Sequence, residues 1–174
     1  MRFSLPAVAM SLALITVSSV SFSQRPAVPL LPRSVALTEE GKTLLSSKKY
    51  DDANNALETA LAVDPRNRTA FITLAKIAEA QELPGKAIRF YREALLLEPN
   101  DLDALAGQGG ALVQKGALAK ARENLARIKQ LCTSACAQQV TLAGLIEKGA
   151  ATPVLSAQAV QPKPVVTPAP PASE

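Results

Sequence analysis

The residues best suited to chemistry in this chain are its two thiols. Cys132 and Cys136 are separated by Thr133, Ser134 and Ala135, and no other cysteine occurs. In an oxidising compartment two thiols so close in sequence pair, and a turn between them brings the Cα atoms within the roughly 7 Å a disulfide tolerates. So short a loop gives little entropic stabilisation. A structural disulfide pinning the segment that follows is the plainer reading. A redox-active pair is its rival, opposed by the CxxxC spacing in place of CxxC and by the lack of a βαβ pattern around the thiols. A metal site would need further ligands, and the chain has no His and no third Cys. The missing His also removes the commonest general base.

Gly107-Gln108-Gly109-Gly110 is the second suggestive run. It lacks the preceding strand and the following Lys-Ser/Thr of a phosphate loop. Gly107 and Gly110 each cost a helix about 1 kcal/mol relative to Ala. Either they let a ligand backbone approach closely or they have no role. No cofactor and no metal follow from these residues, and the chain reads as a non-enzyme.

The elements that position these residues begin with composition. Hydrophobic residues are 48% of 174, only 3% are aromatic, and Ala, Leu and Val dominate, which tilts the expectation to an all-α fold. The net charge is +4, yet Ser34 to Thr133 carries 14 Lys and Arg against 13 Asp and Glu, so the surplus sits in the ends. A nucleic-acid binder concentrates basic charge on its folded part, and nucleic acid is therefore not an expected partner.

The segment 1–23 reads as a bacterial export signal. Arg2 precedes an apolar run from Leu5 to Val17, and Ser21-Phe22-Ser23 offers small residues at a cleavage site. The run is short for a bilayer span of about 20 residues. The expected chain begins at Gln24, periplasmic or secreted, with no stable membrane insertion after cleavage; retention as an anchor is the alternative.

An internal period dominates the middle. Ala53, Ala87 and Ala121 keep a constant 34-residue step, as do Gly41, Ala75 and Gly109; Leu44, Ala78 and Leu112; and Leu57, Tyr91 and Leu125. Leu61 and Leu95 keep the step and Lys129 breaks it, while Pro65 and Pro99 keep it. A period of this length, with this order of small, large and proline residues, resembles the tetratricopeptide repeat. The resemblance covers about 100 residues and implies a right-handed α-solenoid of about three helix-turn-helix units plus a C-terminal capping helix. Glu40, Gln108, Ile128 and Thr133 depart from the family pattern, Glu40 fitting a first helix exposed at the end of the array.

The expected organisation is a signal peptide at 1–23, a linker at 24–33, and an array at 34–133 divided into 34–67, 68–101 and 102–133. A capping helix follows at 134–149, then a Pro- and Ala-rich tail at 150–174. Val140, Leu142, Leu145 and Ile146 form the apolar stripe of the cap, and Gly149 is read as its stop. The tail composition favours extended, solvated chain, a spacer or a Pro-rich ligand. Asn67, and Asn100 with Asp101, stand where the next helix needs an N-cap.

The resemblance further implies that the first helix of each unit lines a concave groove for a protein or peptide partner. Carried over by position, the groove comprises Thr38 and Lys42; Thr69, Ile72, Lys76 and Glu79; and Asp103, Ala106, Val113 and Gln114. Val35, Leu45, Ser46, Ala80 and Gly110 complete the positions. Lys42 and Lys76 hold equivalent places and are expected side by side, able to hold a carboxylate. The rival functions are a structural subunit of an envelope complex docking by its convex face or its ends, and a thiol oxidoreductase using Cys132 and Cys136. Partner identity and oligomeric state do not follow from the sequence.

Overall fold

The computed structural model describes residues 29–151, and among these it contains seven α-helices and no strand. They are α1 (Pro32–Ser46), α2 (Tyr50–Val63), α3 (Arg68–Ala80), α4 (Pro84–Leu97), α5 (Leu102–Gln114), α6 (Leu118–Leu131) and α7 (Ala137–Ala151). The first six form three antiparallel hairpins stacked in chain order, and α7 packs on both α5 and α6. The fold is thus the expected all-α solenoid of helical hairpins. The expected signal peptide at 1–23, the first half of the expected linker (24–28) and the tail from residue 152 lie outside the described residues.

Helix ends follow local chemistry. Pro32 and Pro84 stand in the first turns of α1 and α4, where a missing N–H costs nothing. Pro32 thereby starts α1 two residues ahead of the expected array boundary. The residue before a proline is pushed to extended backbone. Asp64 (φ −142°) and Glu98 (φ −137°) obey this ahead of Pro65 and Pro99, which ends α2 and α4. Asn67 and Asp101 cap α3 and α5, their side chains accepting from the N–H of Ala70 and Ala104. Asn100 does not cap; its side-chain oxygen accepts from Arg127.

Each hairpin turn holds one residue with positive φ: Lys48 (59°), Glu82 (57°) and Gly116 (74°). These three recur at the same interval as the core alanines. The turn geometry therefore repeats as strictly as the core, although Lys, Glu and Gly share no side-chain feature.

Small residues set the distance between helices. Ala53, Ala87 and Ala121 are fully buried, as are Ala60 and Ala94. The three joints between units differ in chemistry. At the first, Asn67 donates to Ser34 Oγ (2.8 Å) and Thr38 Oγ1 (2.9 Å), and Ser34 Oγ donates to the Ala60 carbonyl (2.7 Å), all buried. At the second, the buried ring of Tyr91 fills the space over Gly107, where a Cβ would fall on Cζ and the hydroxyl. At the third, Gly109 admits Leu142 of α7, a Cβ there lying 2.6 Å from both Leu142 methyls.

Gly149 corrects the sequence reading of a helix stop. The helix runs through it to Ala151, and a Cβ at 149 would lie 2.6 Å from Val113 Cγ1. It is a close-packing residue. The cap also begins later than expected, because Ser134 to Cys136 belong to the turn. Of its expected apolar stripe, Leu142 and Ile146 are buried whereas Val140 and Leu145 are exposed. Leu142 and Ile146 follow Gln108 and Leu112 by the step that separates the earlier units. The cap is therefore the first helix of a fourth unit that has no second helix among the described residues.

Asp64 ties the linker to the first joint. Its buried carboxylate accepts from the N–H of Leu31 (3.1 Å) and from the backbone and Nε of Arg66 (both 3.0 Å). The Arg66 side chain, then these backbone donors, hold its pKa below the ordinary carboxylate value against the opposing effect of burial. A lowered folded-state pKa gives stability that is present above the unfolded value and is lost as pH falls through the folded one. The melting temperature is thus expected to drop on acidification below the ordinary carboxylate range, and Asp64→Asn should flatten that acid limb. An unchanged pH profile in the variant would count against this linkage.

Candidate functional site

The first helices of the hairpins touch one another, α1 with α3, α3 with α5 and α5 with α7, whereas α2, α4 and α6 do not. The array therefore curves with α1, α3, α5 and α7 on its inner side, and that concave face is the candidate site. At its N-terminal mouth lies a pocket of about 90 Å³ lined by Leu30, Val35, Thr38, Glu39, Lys42, Asn67 and Thr69. The linker residue Leu30 thus forms one wall.

Two of the expected groove residues belong to the interior. Thr38 is only 2% exposed; its hydroxyl donates to the Ser34 carbonyl and accepts from Asn67. Ile72 is buried against Tyr91 and its surrounding alanines. Both positions are taken up by the joints, where a short polar and a branched apolar side chain fill space between units. Thr69, Glu79, Ala106 and Val113 are half-buried, while Lys76, Asp103 and Gln114 are exposed.

The two lysines do not form a bare cation pair. Lys42 Nζ is 2.8 Å from Glu39 Oε1, one helical turn back. Lys76 lies close enough to Glu79 for its charge to favour the carboxylate. Glu79 also accepts from the Tyr91 hydroxyl (3.1 Å), yet burial dominates and raises its pKa. The same burial, with the neighbouring Glu79 and Asp103 charges, pushes the Tyr91 phenol far up. Behind the groove face the buried Tyr91 phenol is thus hydrogen-bonded to the partly buried side chain of Glu79. Asp103 in turn accepts from Gln138 Nε2 (2.8 Å), which joins the rim of α5 to α7.

Glu39 and Gln138 escape a reading by family position. Glu39 is detectable from its three-residue offset to Lys42 on a helix. Extending the repeat step into α7 places Val140 and Lys148 in register with the groove positions, and both are exposed. Cys132 and Cys136 face each other across the α6–α7 turn with sulfurs in bonding contact and Cα atoms 6.2 Å apart. No group of three or more His, Cys, Asp or Glu is placed to hold a metal ion among the described residues. Nor is any helix there long and apolar enough to cross a membrane.

The family model described as tetratricopeptide repeat matches residues 38–101 and again 72–135, overlapping by one repeat and together spanning more than half of the chain. The chain belongs to the tetratricopeptide repeat family. No curated protein matches the sequence. Among solved structures, the tetratricopeptide domain of Sgt2 from Aspergillus fumigatus aligns with a TM-score of 0.62 at 20% identity, covering 82% of this chain and 92% of that one. The first such domain of Spaghetti (RPAP3), bound to the HSP90 peptide SRMEEVD, aligns at 0.61 and 19%, covering 68% and 94%. The Yersinia enterocolitica type III secretion chaperone SycD, in complex with a peptide of the translocator YopD, aligns at 0.61 and 19%, covering 67% and 91%. At these identities the likeness concerns the tetratricopeptide fold. Two of the three neighbours hold peptides.

Proposed function

We propose that this tetratricopeptide protein is an exported, periplasmic interaction module that holds a peptide or partner segment in its concave groove. The observation that carries the reading is the inner face itself. Around the N-terminal pocket, Val35 stays 41% exposed and Lys42 stays open to solvent on one side of its ion pair. Lys76 and Gln114 continue that accessible line along α3 and α5. A concave surface that leaves an apolar group and several polar or charged ones accessible suits an extended or helical segment anchored at several points. Support also comes from the peptide complexes of RPAP3 and SycD, which share the fold. In this reading residues 1–23 direct export, and the pairing of Cys132 with Cys136 fastens the last helix in an oxidising compartment.

The test is capture from envelope extract with the purified protein as bait. One protein should be enriched by the wild type and lost with Lys42→Glu combined with Lys76→Glu, because the reversal leaves each lysine site facing a carboxylate of its own helix. Equal capture by the double variant would remove the groove assignment.

A further inference from the structure

Both ends of the array depart from the repeat pattern, and they depart in opposite senses. At the N-terminal end Glu40 stands where the second unit has the buried Leu74. Asp52 stands where the later units have Lys86 and Lys120. At the C-terminal end Arg122 replaces Ile88, and Lys129 replaces Leu61 and Leu95. A solenoid end needs a polar face for solubility, and either sign of charge would serve. Here the substituted positions are acidic at one end, with Lys48 and Lys49 beside Asp52 at its edge, and basic at the other.

Each end also carries a cleft with apolar walls and a charged border. Glu40 and Asp52 border a cleft of about 380 Å³ between α1 and α2 whose walls include Leu37 and Leu44. Arg122 and Lys129 border a cleft of about 370 Å³ between α6 and α7 whose walls include Leu125 and Ile146, with Glu147 on the same rim. Among the described residues no second helix of a fourth unit covers the second cleft. All four charged residues at the tips are exposed.

We propose that these ends meet, the α6–α7 face of one copy receiving the α1–α2 face of a second, with Glu40 and Asp52 set against Arg122 and Lys129. The occupant is another copy of this chain because the charges the C-terminal cleft calls for are the ones its own N-terminal end presents. The contact is head-to-tail and leaves a free face at each end, so association is open-ended and grows with concentration. Exposed charge pairs guide such contacts and are screened by salt. The inference does not depend on the groove.

Sedimentation velocity of the protein purified from the cells that make it tests this. At low ionic strength the weight-average sedimentation coefficient should rise with concentration, and added salt should reduce it. Glu40→Lys with Asp52→Lys, or Arg122→Glu with Lys129→Glu, should each weaken self-association by about tenfold or more. Mixing these two double variants, or joining all four substitutions in one chain, should restore it, since the complementary signs are back in place. The groove variant Lys42→Glu with Lys76→Glu should associate like the wild type even where it loses its partner. A wild-type chain that stays monomeric at low salt overturns the proposal. So does association that salt strengthens, or a mixture of folded double variants that stays monomeric.

Discussion

Asn67→Ala is expected to lower the unfolding free energy by about 3 kcal/mol, among the larger effects available to one exchange in this chain. One side chain serves two sets of partners. Its carbonyl oxygen accepts from the N–H of Ala70 and so caps α3. Its amide donates to Ser34 Oγ, Thr38 Oγ1 and the Ser34 carbonyl, joining α1 to the start of α3. Loss of a cap costs about 1 kcal/mol, and orphaned buried polar groups add about 1–3 kcal/mol. Ser34, Thr38 and Asn67 are all at most 2% exposed, so water cannot replace the lost donor. Chemical denaturation would measure the loss. Asn67→Ser keeps a capping oxygen but no amide, and should recover only about 1 kcal/mol of it. Full recovery by Ser would mean that the cap alone matters.

Gly107→Ala should cost about 2 kcal/mol through overpacking, although Ala is the better helix former. The added Cβ would collide with the Tyr91 ring, lying 2.6 Å from its Cε1 and closer still to Cζ and the hydroxyl. The ring is boxed in by Ile72, Ala75, Ala78 and Ala87, and its hydroxyl is held by Glu79, so it has no room to retreat. Overpacking costs about 1–3 kcal/mol, offset by up to about 1 kcal/mol of helix propensity. Gly144 provides the contrast. A Cβ there meets nothing within 4 Å, so Gly144→Ala should stabilise by up to about 1 kcal/mol. Thermal melts of the two variants should move in opposite directions; a shift of the same sign in both would reject the steric account.

The architecture is legible in the sequence because it rests on residue size at fixed spacing. Ala53, Ala87 and Ala121 mark helix contacts by being small, and Pro65 and Pro99 end helices by forcing the preceding residue to extend. The site is less legible. Thr38 and Ile72 hold groove positions in the family pattern, yet Asn67 draws one inward and Tyr91 packs over the other. Such pairings depend on partners well beyond the helix that carries each residue, which no local period reports. Gly107 looks idle until Tyr91 is seen above it. The left-handed turn residues Lys48, Glu82 and Gly116 recur at a strict interval but are conformational equivalents only, invisible to a comparison of side chains. Lys129, a break in the pattern when read as sequence, is the residue at which the array turns to solvent.

The three unlike joints have a consequence for how the units can be ordered. A polar lock, an aromatic ring seated on glycine and a leucine seated on glycine are not interchangeable. The second unit set beneath α7 would press Ala75 against Leu142 where Gly109 now yields space, and α5 moved behind the first hairpin together with its cap would offer Asp101 to Ser34 and Thr38 in place of an amide. Each unit therefore recognises one successor, and the order of the array is encoded at its seams. Shuffled or duplicated versions of this chain should fold as hairpins and fail at the junctions, which makes the seams, rather than the hairpins, the unit of inheritance for this protein.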